Sequence, residues 1–509
     1  MNLVSRLRPE RGPRLSAGDV MAGVTVALVL VPQSLAYTEL AGLPAVRGIY
    51  AAAAACLAAA WFASSPYLQT GPVAVTSLLT LGALNHLAPL GSDRYVALAA
   101  VLALVVGAVR LGLGTLRLGG FAFMMSQPVI IGFSTGAALV ILATQLPTAL
   151  GTDTDGGIFP SAVSALVHPG RWDTASVVLA VVTLALMVGG RRIHAMFPGV
   201  LLAVVAAIAW STLAGYDGPT LGEIRSGLPP ATLDLPYEEL PHLLIPGVII
   251  AVVGFAEATS ISRRYATLER QIWDPSQELV GQAFANLASG ACGGYPVGGS
   301  FSRTALNHLA GARSRWSGLI TGAVVALLVP FSSVLSPLPR AVLGAVVIGA
   351  VRSLVQLRPF RELWRFSRAQ FVIAFVTFVL TVALAPQVGQ AVLVGVVLAV
   401  VVHLRREILI SVPSWTDGDA VHLKPKGVLY FGSVAGLERT FMSILHDHPS
   451  ARRLVIHMDG LGRVDVTGAL ALSTLLAEAE EAGLEATIVD VPPQAARVVA
   501  RVLDERWGG

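Results

Sequence analysis

Between two long apolar stretches the chain reads Gly293-Gly-Tyr-Pro-Val-Gly-Gly-Ser-Phe-Ser-Arg-Thr-Ala-Leu-Asn307. Four glycines and a proline interrupt any regular helix there, and Ser300 or Ser302 can cap a new one that carries Arg303 in its first turn. A helix start presents free N–H groups and the positive end of the backbone dipole, so a cation there makes sense chiefly when an anion lies near. A second interruption, Tyr67-Leu-Gln-Thr-Gly-Pro-Val-Ala-Val75, combines a short extended piece with a proline suited to the first turn of the helix that follows. Two such ends facing one another would hold a small anion without a metal ion and with few charges. Gly- and Pro-rich turns also join ordinary hairpins, and an arginine near a helix end also snorkels to headgroups; both are competing readings.

Three more residues carry chemistry of the same kind. Pro32 bends an apolar helix beside Gln33, and Tyr37 follows one turn later on the same face, so both offer neutral hydrogen bonds to an anion or its waters. Packing of a kinked helix is the alternative for this pair. Glu257 is an acid inside the apolar run Val252–Ser260. Burial favours its protonated form and approach of Arg303 the ionised form, which makes it either a proton-coupling element or a permanently paired structural glutamate. Glu39 is a weaker candidate, and Asp19 reads as an N-cap. No metal cluster or nucleophile–His–acid set accompanies these residues, His86, His194 and His308 being scattered, so no enzyme, cofactor or metal is expected.

The elements that must position these groups lie in lipid. Only 13% of the 509 residues are charged, about half of what a soluble surface needs, and 54% are hydrophobic. The two cysteines, Cys56 and Cys292, sit in apolar stretches and read as packing residues. Fourteen apolar spans are expected, near 19–40, 47–63, 71–88, 94–112, 121–146, 174–190, 196–214, 242–261, 277–291, 300–311, 315–335, 340–356, 369–386 and 388–404. The third and tenth are the broken ones. The first is followed by others as long, so it is expected to be retained, with Arg6, Arg8, Arg11 and Arg14 as an anchor.

Arginines test the count. Sixteen follow the even spans, Arg110 among them, and five follow the odd ones, which places both ends of the membrane domain in the cytoplasm and the acidic segment 215–241 outside. Because basic charge tracks topology, no nucleic acid is expected as a partner. Two units of seven spans, about 19–214 and 242–404, would have opposite orientation, with a broken span third in each. Past Arg406 the apolar runs end and the only lysines, Lys424 and Lys426, appear. Expected strands at 427–431, 453–457 and 486–490 alternate with helices near 434–447, 468–482 and 493–506, a small α/β domain.

Pro32-Gln-Ser-Leu-Ala-Tyr-Thr-Glu-Leu-Ala-Gly-Leu-Pro-Ala-Val-Arg-Gly-Ile-Tyr50, Gln69–Val75 and Ser300-Phe-Ser-Arg-Thr304 together resemble the SulP family of anion transporters, and the likeness covers nearly the whole chain. The C-terminal part resembles a STAS domain through Val464-Asp-Val-Thr-Gly468. In related anti-sigma-factor antagonists a phosphorylated serine follows the aspartate. Val466 stands there instead, so folding, association or protein contact is the expected role, with Thr467 an unsupported acceptor.

The resemblance implies a polytopic α-helical membrane protein of seven plus seven inverted spans in core and gate domains, a dimer, and elevator-like movement. Its implied segments are 1–18, cytoplasmic; 19–406, the transporter domain; and 415–509, a cytoplasmic STAS domain. It assigns the substrate site to Gly71, Pro72, Val73, Ala74 and Val75, to Ser300, Phe301, Ser302, Arg303 and Thr304, and to Gln33 and Tyr37. Sodium-coupled bicarbonate members use an aspartate in the eighth span, and the acid in the corresponding region here is Glu257, which favours the proton as the coupling ion. The expected function is proton-coupled uptake of a small divalent anion, sulfate or a dicarboxylate, across the inner membrane. Sodium-coupled bicarbonate transport, anion exchange, an anion channel of the same fold and a non-transporting anion sensor are the alternatives.

Overall fold

The computed structural model describes residues 15–120, 126–152, 156–194, 196–224, 227, 235–408 and 410–502. Arg6, Arg8, Arg11, Arg14, Arg225, the start of the fifth expected span, part of the acidic segment and residues 503–509 lie outside them. By compactness the chain divides into a unit up to Val396 and a second from Val397.

Among the described residues the first unit is built of helices and two short strands, and its last helix runs on past Val396. In order it forms α1 (Ala17–Leu40), α2 (Val46–Phe62), β1 (Thr70–Gly71), α3 (Ala74–Leu84), α4 (Asp93–Thr115), α5 (Gln127–Leu150), α6 (Ile158–Val167), α7 (Thr174–Ile193), α8 (Gly199–Ala214), α9 (Leu240–Leu268), α10 (Pro275–Ala291), β2 (Gly298–Gly299), α11 (Phe301–Leu309), α12 (Trp316–Leu328), α13 (Arg340–Val351), α14 (Leu357–Phe366), α15 (Arg368–Ala383) and α16 (Val388–Ile408). A helix falls on every expected span, while α6 and α14 occupy segments read as loops. Among the described residues six helical stretches are long and apolar enough to cross a membrane unaided, those of α1, α4, α5, α9, α12 and α16. Shorter ones depend on neighbours for their depth.

Packing separates two sets of helices. In one, α10 lies on α2 and α4, α12 on α1 and α2, and α9 on α4; in the other, α15 lies on α5, and α13 on α5 and α7. Glycines set the closest approaches, since a Cβ on Gly48 would collide with Thr38 and Ser34 of α1, and one on Gly132 with the Ala374 carbonyl of α15. Backbones in contact gain dispersion that bulkier residues would prevent.

Asp19 is not the N-cap of α1. Ser16 caps the helix, and Asp19 closes a capping box three residues later. Its position inside the first turn lets it bond outside its own helix as well. The carboxylate also accepts from Arg313 N and Ser314 N, both at 2.8 Å, and from Ser314 Oγ at 2.9 Å. One side chain thus locks the start of α1 to the turn after α11.

In the second unit a sheet runs β3 (Ser414–Asp417), β4 (Ala420–Leu423), β6 (Arg453–His457) and β8 (Glu485–Val489), and a separate pair joins β5 (Gly427–Leu429) to β7 (Leu461–Val464). The β3–β4 pairing is antiparallel and the others parallel. Helices α17 (Phe431–Asp447), α18 (Val466–Glu481) and α19 (Pro493–Val502) complete it. Leu429, Leu437, Phe441, Leu454, Ile456, Leu472, Leu476 and Ile488 form its core. At the start of α18, Asp465 is the N-cap and accepts from Gly468 N at 2.7 Å, while Val466 stands exposed with no hydroxyl to modify.

Asp19→Ala removes both the capping box and the link to α12, and is expected to lower stability by about 2–4 kcal/mol. Ser16→Ala removes the cap alone and costs about 1 kcal/mol. Thermal melting of the purified protein in detergent ranks the two.

Candidate functional site

The two chain breaks meet. β1 and β2 pair antiparallel, Thr70 opposite Gly299 and Gly71 opposite Gly298, all four buried. Flanking bonds extend the join: Ser300 N donates to Gln69 O at 3.0 Å, Gln69 N to Thr304 Oγ1 at 3.0 Å, and Asn307 Nδ2 to Tyr67 O at 3.0 Å. Because the strands run in opposite directions, α3 and α11 leave this ladder on opposite courses, with their amino ends at the ladder itself. Backbone that is neither helix nor sheet is satisfied here by its counterpart.

Helix α10 supports the ladder from behind. Gln282 Nε2 donates to Thr70 Oγ1 at 2.6 Å, and Asn286 holds the Val297 peptide with its Oδ1 on N at 3.0 Å and its Nδ2 on O at 3.2 Å. Cys56 Sγ donates to Thr70 O at 2.9 Å. Gly299 keeps this crossing close, because a Cβ there would stand 2.9 Å from Leu68 and 3.2 Å from the Ala258 backbone of α9 and would push both aside.

A cavity of about 400 Å³ opens beside the two helix starts. Val75 of α3 and Phe301 of α11 line it, with Glu257, Thr259, Ser260 and Arg263 of α9. The opposite wall comes from the other helix set, through Gln127, Ile131 and Ser134 of α5 and Leu354 and Gln356 after α13, joined by Val392 of α16. The space is therefore bounded by both sets of helices.

Of the sequence-predicted residues, Val75, Phe301 and Glu257 border the cavity. Val73 is the residue before α3, and Pro72 precedes the helix instead of lying in its first turn. The Pro72 carbonyl is engaged by Arg303, whose fully buried guanidinium donates from Nη1 to it at 2.9 Å and to Gln33 Oε1 at 3.4 Å. Both acceptors are neutral, and Nε and Nη2 have no hydrogen-bond partner. Arg303 thus bridges Pro72 to Gln33 of α1 and does not line the cavity, within electrostatic reach of Glu257 and Tyr37. Gly71 faces it, since a Cβ there would lie 3.4 Å from Nη2. Ser300 caps α11 by accepting from Arg303 N at 3.4 Å, Ser302 Oγ lies 3.4 Å from Ser300 Oγ, and Thr304 is occupied by Gln69. Gln33, Tyr37 and Ala74 are buried. Glu39 pairs with Arg340 at 3.2 Å, away from these groups.

Arg110 is the residue that sequence reasoning misplaced. Counted as a loop arginine, it lies within α4 and is fully buried, donating from Nε to Ala251 O at 3.1 Å, from Nη1 to Val297 O at 3.1 Å and from Nη2 to Ile250 O at 3.3 Å. A Cβ on Gly254 would stand 2.5 Å from Nη2, so that glycine makes room for it. Arg110 ties α4, α9 and the approach to β2 together, and it adds a second buried positive charge whose bonded oxygens are all neutral. Its signal in the sequence was its place inside span 94–112, before the apolar Leu111. Tyr295 was also missed: its hydroxyl lies 3.3 Å from both Thr38 and Ser77, joining α1 to α3.

A buried cation with neutral partners is costly unless negative charge approaches it. Two helix starts, two such arginines and an adjoining cavity form an arrangement that attracts a small anion.

Residues 17–377 match the model of the sulfate permease family and residues 415–503 that of the STAS domain. A probable sulfate transporter of Mycobacterium tuberculosis is 38% identical over 397 residues, 76% of this chain and 70% of its own. The sodium-independent sulfate anion transporter of Bos taurus is 27% identical over 525 residues, 94% of this chain and 85% of its own. Among solved structures, the murine solute carrier 26 family member A9 anion transporter superposes with a TM-score of 0.88 at 22% identity, over 98% of this chain and 90% of its own. The transmembrane domain of a cyanobacterial bicarbonate transporter, BicA, gives 0.64 at 27% identity, over 75% and 97%.

Arg110→Met leaves the Val297 carbonyl without its charged donor and is expected to cost about 3 kcal/mol of stability. Arg110→Lys, which keeps the charge but not the three-pronged geometry, recovers part of it. Melting temperatures of the three proteins in detergent give the order.

Proposed function

This chain belongs to the sulfate permease family, and on that footing we propose that it carries a small oxyanion through the cavity between the α3 and α11 starts and α5. It is a secondary transporter of small anions, not an enzyme. The observation behind the proposed route is the β1–β2 ladder, which presents two helix amino ends beside a space that both helix sets enclose. Sulfate is the first candidate, because relatives across most of this chain are named for it. Bicarbonate is the second, suggested by the likeness to BicA.

Anion exchange, or passage down the anion's own gradient, is the favoured mode, since the family likeness demands no coupling ion. Proton-coupled uptake is the second reading, supported by Glu257 on the cavity wall near Arg303. In either mode the set holding α3, α9 and α11 slides against the set holding α5, α13 and α15, which is how one site would open to each side in turn. Fourteen spans in two inverted sevens, the arginine-rich loops and STAS domain facing the cytoplasm, a homodimer and residence in the inner membrane complete the proposal. Substrate contacts are assigned to the ends of α3 and α11, to Gln33 and Tyr37, and to the field of Arg303.

Proteoliposomes loaded with unlabelled sulfate, bicarbonate or succinate, or bearing a proton or sodium gradient, separate the modes by uptake of the labelled anions. Internal anion is expected to accelerate sulfate entry; entry indifferent to it but driven by acid outside would establish the proton-coupled mode. Arg303→Ala is expected to lower uptake by about ten- to a hundredfold while the protein remains folded, through loss of its field at the helix starts. Unchanged uptake would remove Arg303 from the site. Glu257→Gln should leave exchange largely intact and abolish any acid-driven accumulation, and accumulation that persists would dismiss the coupling role.

A further inference from the structure

Helix α14 has no part in the site, yet it is strongly amphipathic. It reads Leu-Arg-Pro-Phe-Arg-Glu-Leu-Trp-Arg-Phe over residues 357–366 and joins α13 to α15, both in the membrane unit. At a hundred degrees per residue, Arg358, Arg361 and Arg365 fall on one side and Leu357, Phe360 and Trp364 on the adjoining one. All three arginines are exposed, as is Arg368 at the start of α15. One acid, Glu362, offsets them by pairing with Arg358 at 3.0 Å. Large apolar side chains stand in the open beside this row: Leu357 is 71% exposed, Trp364 57% and Phe366 83%. The helix is nevertheless held firmly, since Phe360 and Trp364 meet Phe371 of α15 edge-on, with ring centroids 6.3 Å and 4.8 Å apart.

A basic row bordered by exposed leucine and tryptophan, between two membrane helices, fits a surface that is anionic above and apolar beneath. We propose that α14 lies along the membrane surface with its arginines on the phosphates of anionic lipids and Leu357 and Trp364 at the acyl boundary. The helix begins one residue after Gln356, which lines the cavity and donates its N–H to Thr135 Oγ1 of α5 at 3.3 Å. Lipid held by α14 therefore anchors the α5 wall of the cavity. The lipid contact holds whatever anion is carried; its effect on turnover rests on the transport reading above.

The full chain is reconstituted in equal mixtures of phosphatidylcholine and phosphatidylglycerol, with bromine on the acyl chains of one lipid or the other. Trp364 emission is isolated as the difference between wild type and Trp364→Phe. Brominated phosphatidylglycerol is expected to quench it at least twofold more than brominated phosphatidylcholine, and high salt to erase the difference. Equal quenching by the two lipids overturns the proposal, and no quenching by either overturns it in favour of a protein partner or free phosphate on the arginine row. Arg361→Gln/Arg365→Gln/Arg368→Gln should lose the preference and the corresponding lysine variant keep it; if the glutamine variant does not fold, the wild-type comparison decides alone. Sulfate uptake by wild type should fall severalfold in pure phosphatidylcholine, and uptake equal in both membranes would overturn the anchoring role. Quenching is read without transport, so the lipid contact stands or falls independently of the transport reading.

Discussion

Four residues paired as a ladder, Thr70–Gly71 against Gly298–Gly299, are the constraint on which the membrane unit turns. A helix stopped inside a bundle exposes peptide groups that hydrocarbon cannot satisfy. Here the stretches that precede the two stopped helices supply each other's missing partners, and the side chains of Asn286, Thr304 and Asn307 bond further peptide groups of the join. Glycine eases it, since α9 passes so close to Gly299 that an added Cβ would press on Ala258. The functional geometry is therefore a by-product of satisfying backbone: once the two breaks must pair, two helix amino ends are brought together.

Electrostatics follow from that arrangement. Arg303 and Arg110 are fully buried, and every oxygen they bind belongs to a peptide or an amide. Such charges are held in place by geometry, and the groups bonded to them carry no charge that offsets theirs. Glu257 lies on the wall of the adjoining space and is the acid among the cavity-lining residues.

Much of this was legible in the chain. Glycine and proline mark both breaks, Ser300 marks the cap of α11, and apolar length marks the helices, because these are local requirements written in local residues. Pairing was not legible, since β1 and β2 are two residues each and over two hundred positions apart. Arg110 was misread for a related reason: its partners are carbonyls of α9 and of Val297, which leave no trace in side-chain sequence. The helix α6 and the strand β3 escaped too, the latter because Ser-Trp-Thr-Asp is exposed throughout and shows no apolar alternation. Asp19 was misplaced as the N-cap, which is Ser16 three residues earlier, and its bonds to Arg313 and Ser314 were not legible because they reach across the fold.

Arg303 grips the Pro72 carbonyl and does not border the cavity. A cation set back in this way pulls on negative charge without templating its outline, so ions of like valence and size feel nearly the same attraction. Preference among them then falls to the work of shedding hydration, and the side chains around the opening, Ser134, Gln127 and Ser260, become the natural places for selectivity to drift while the ladder stays fixed.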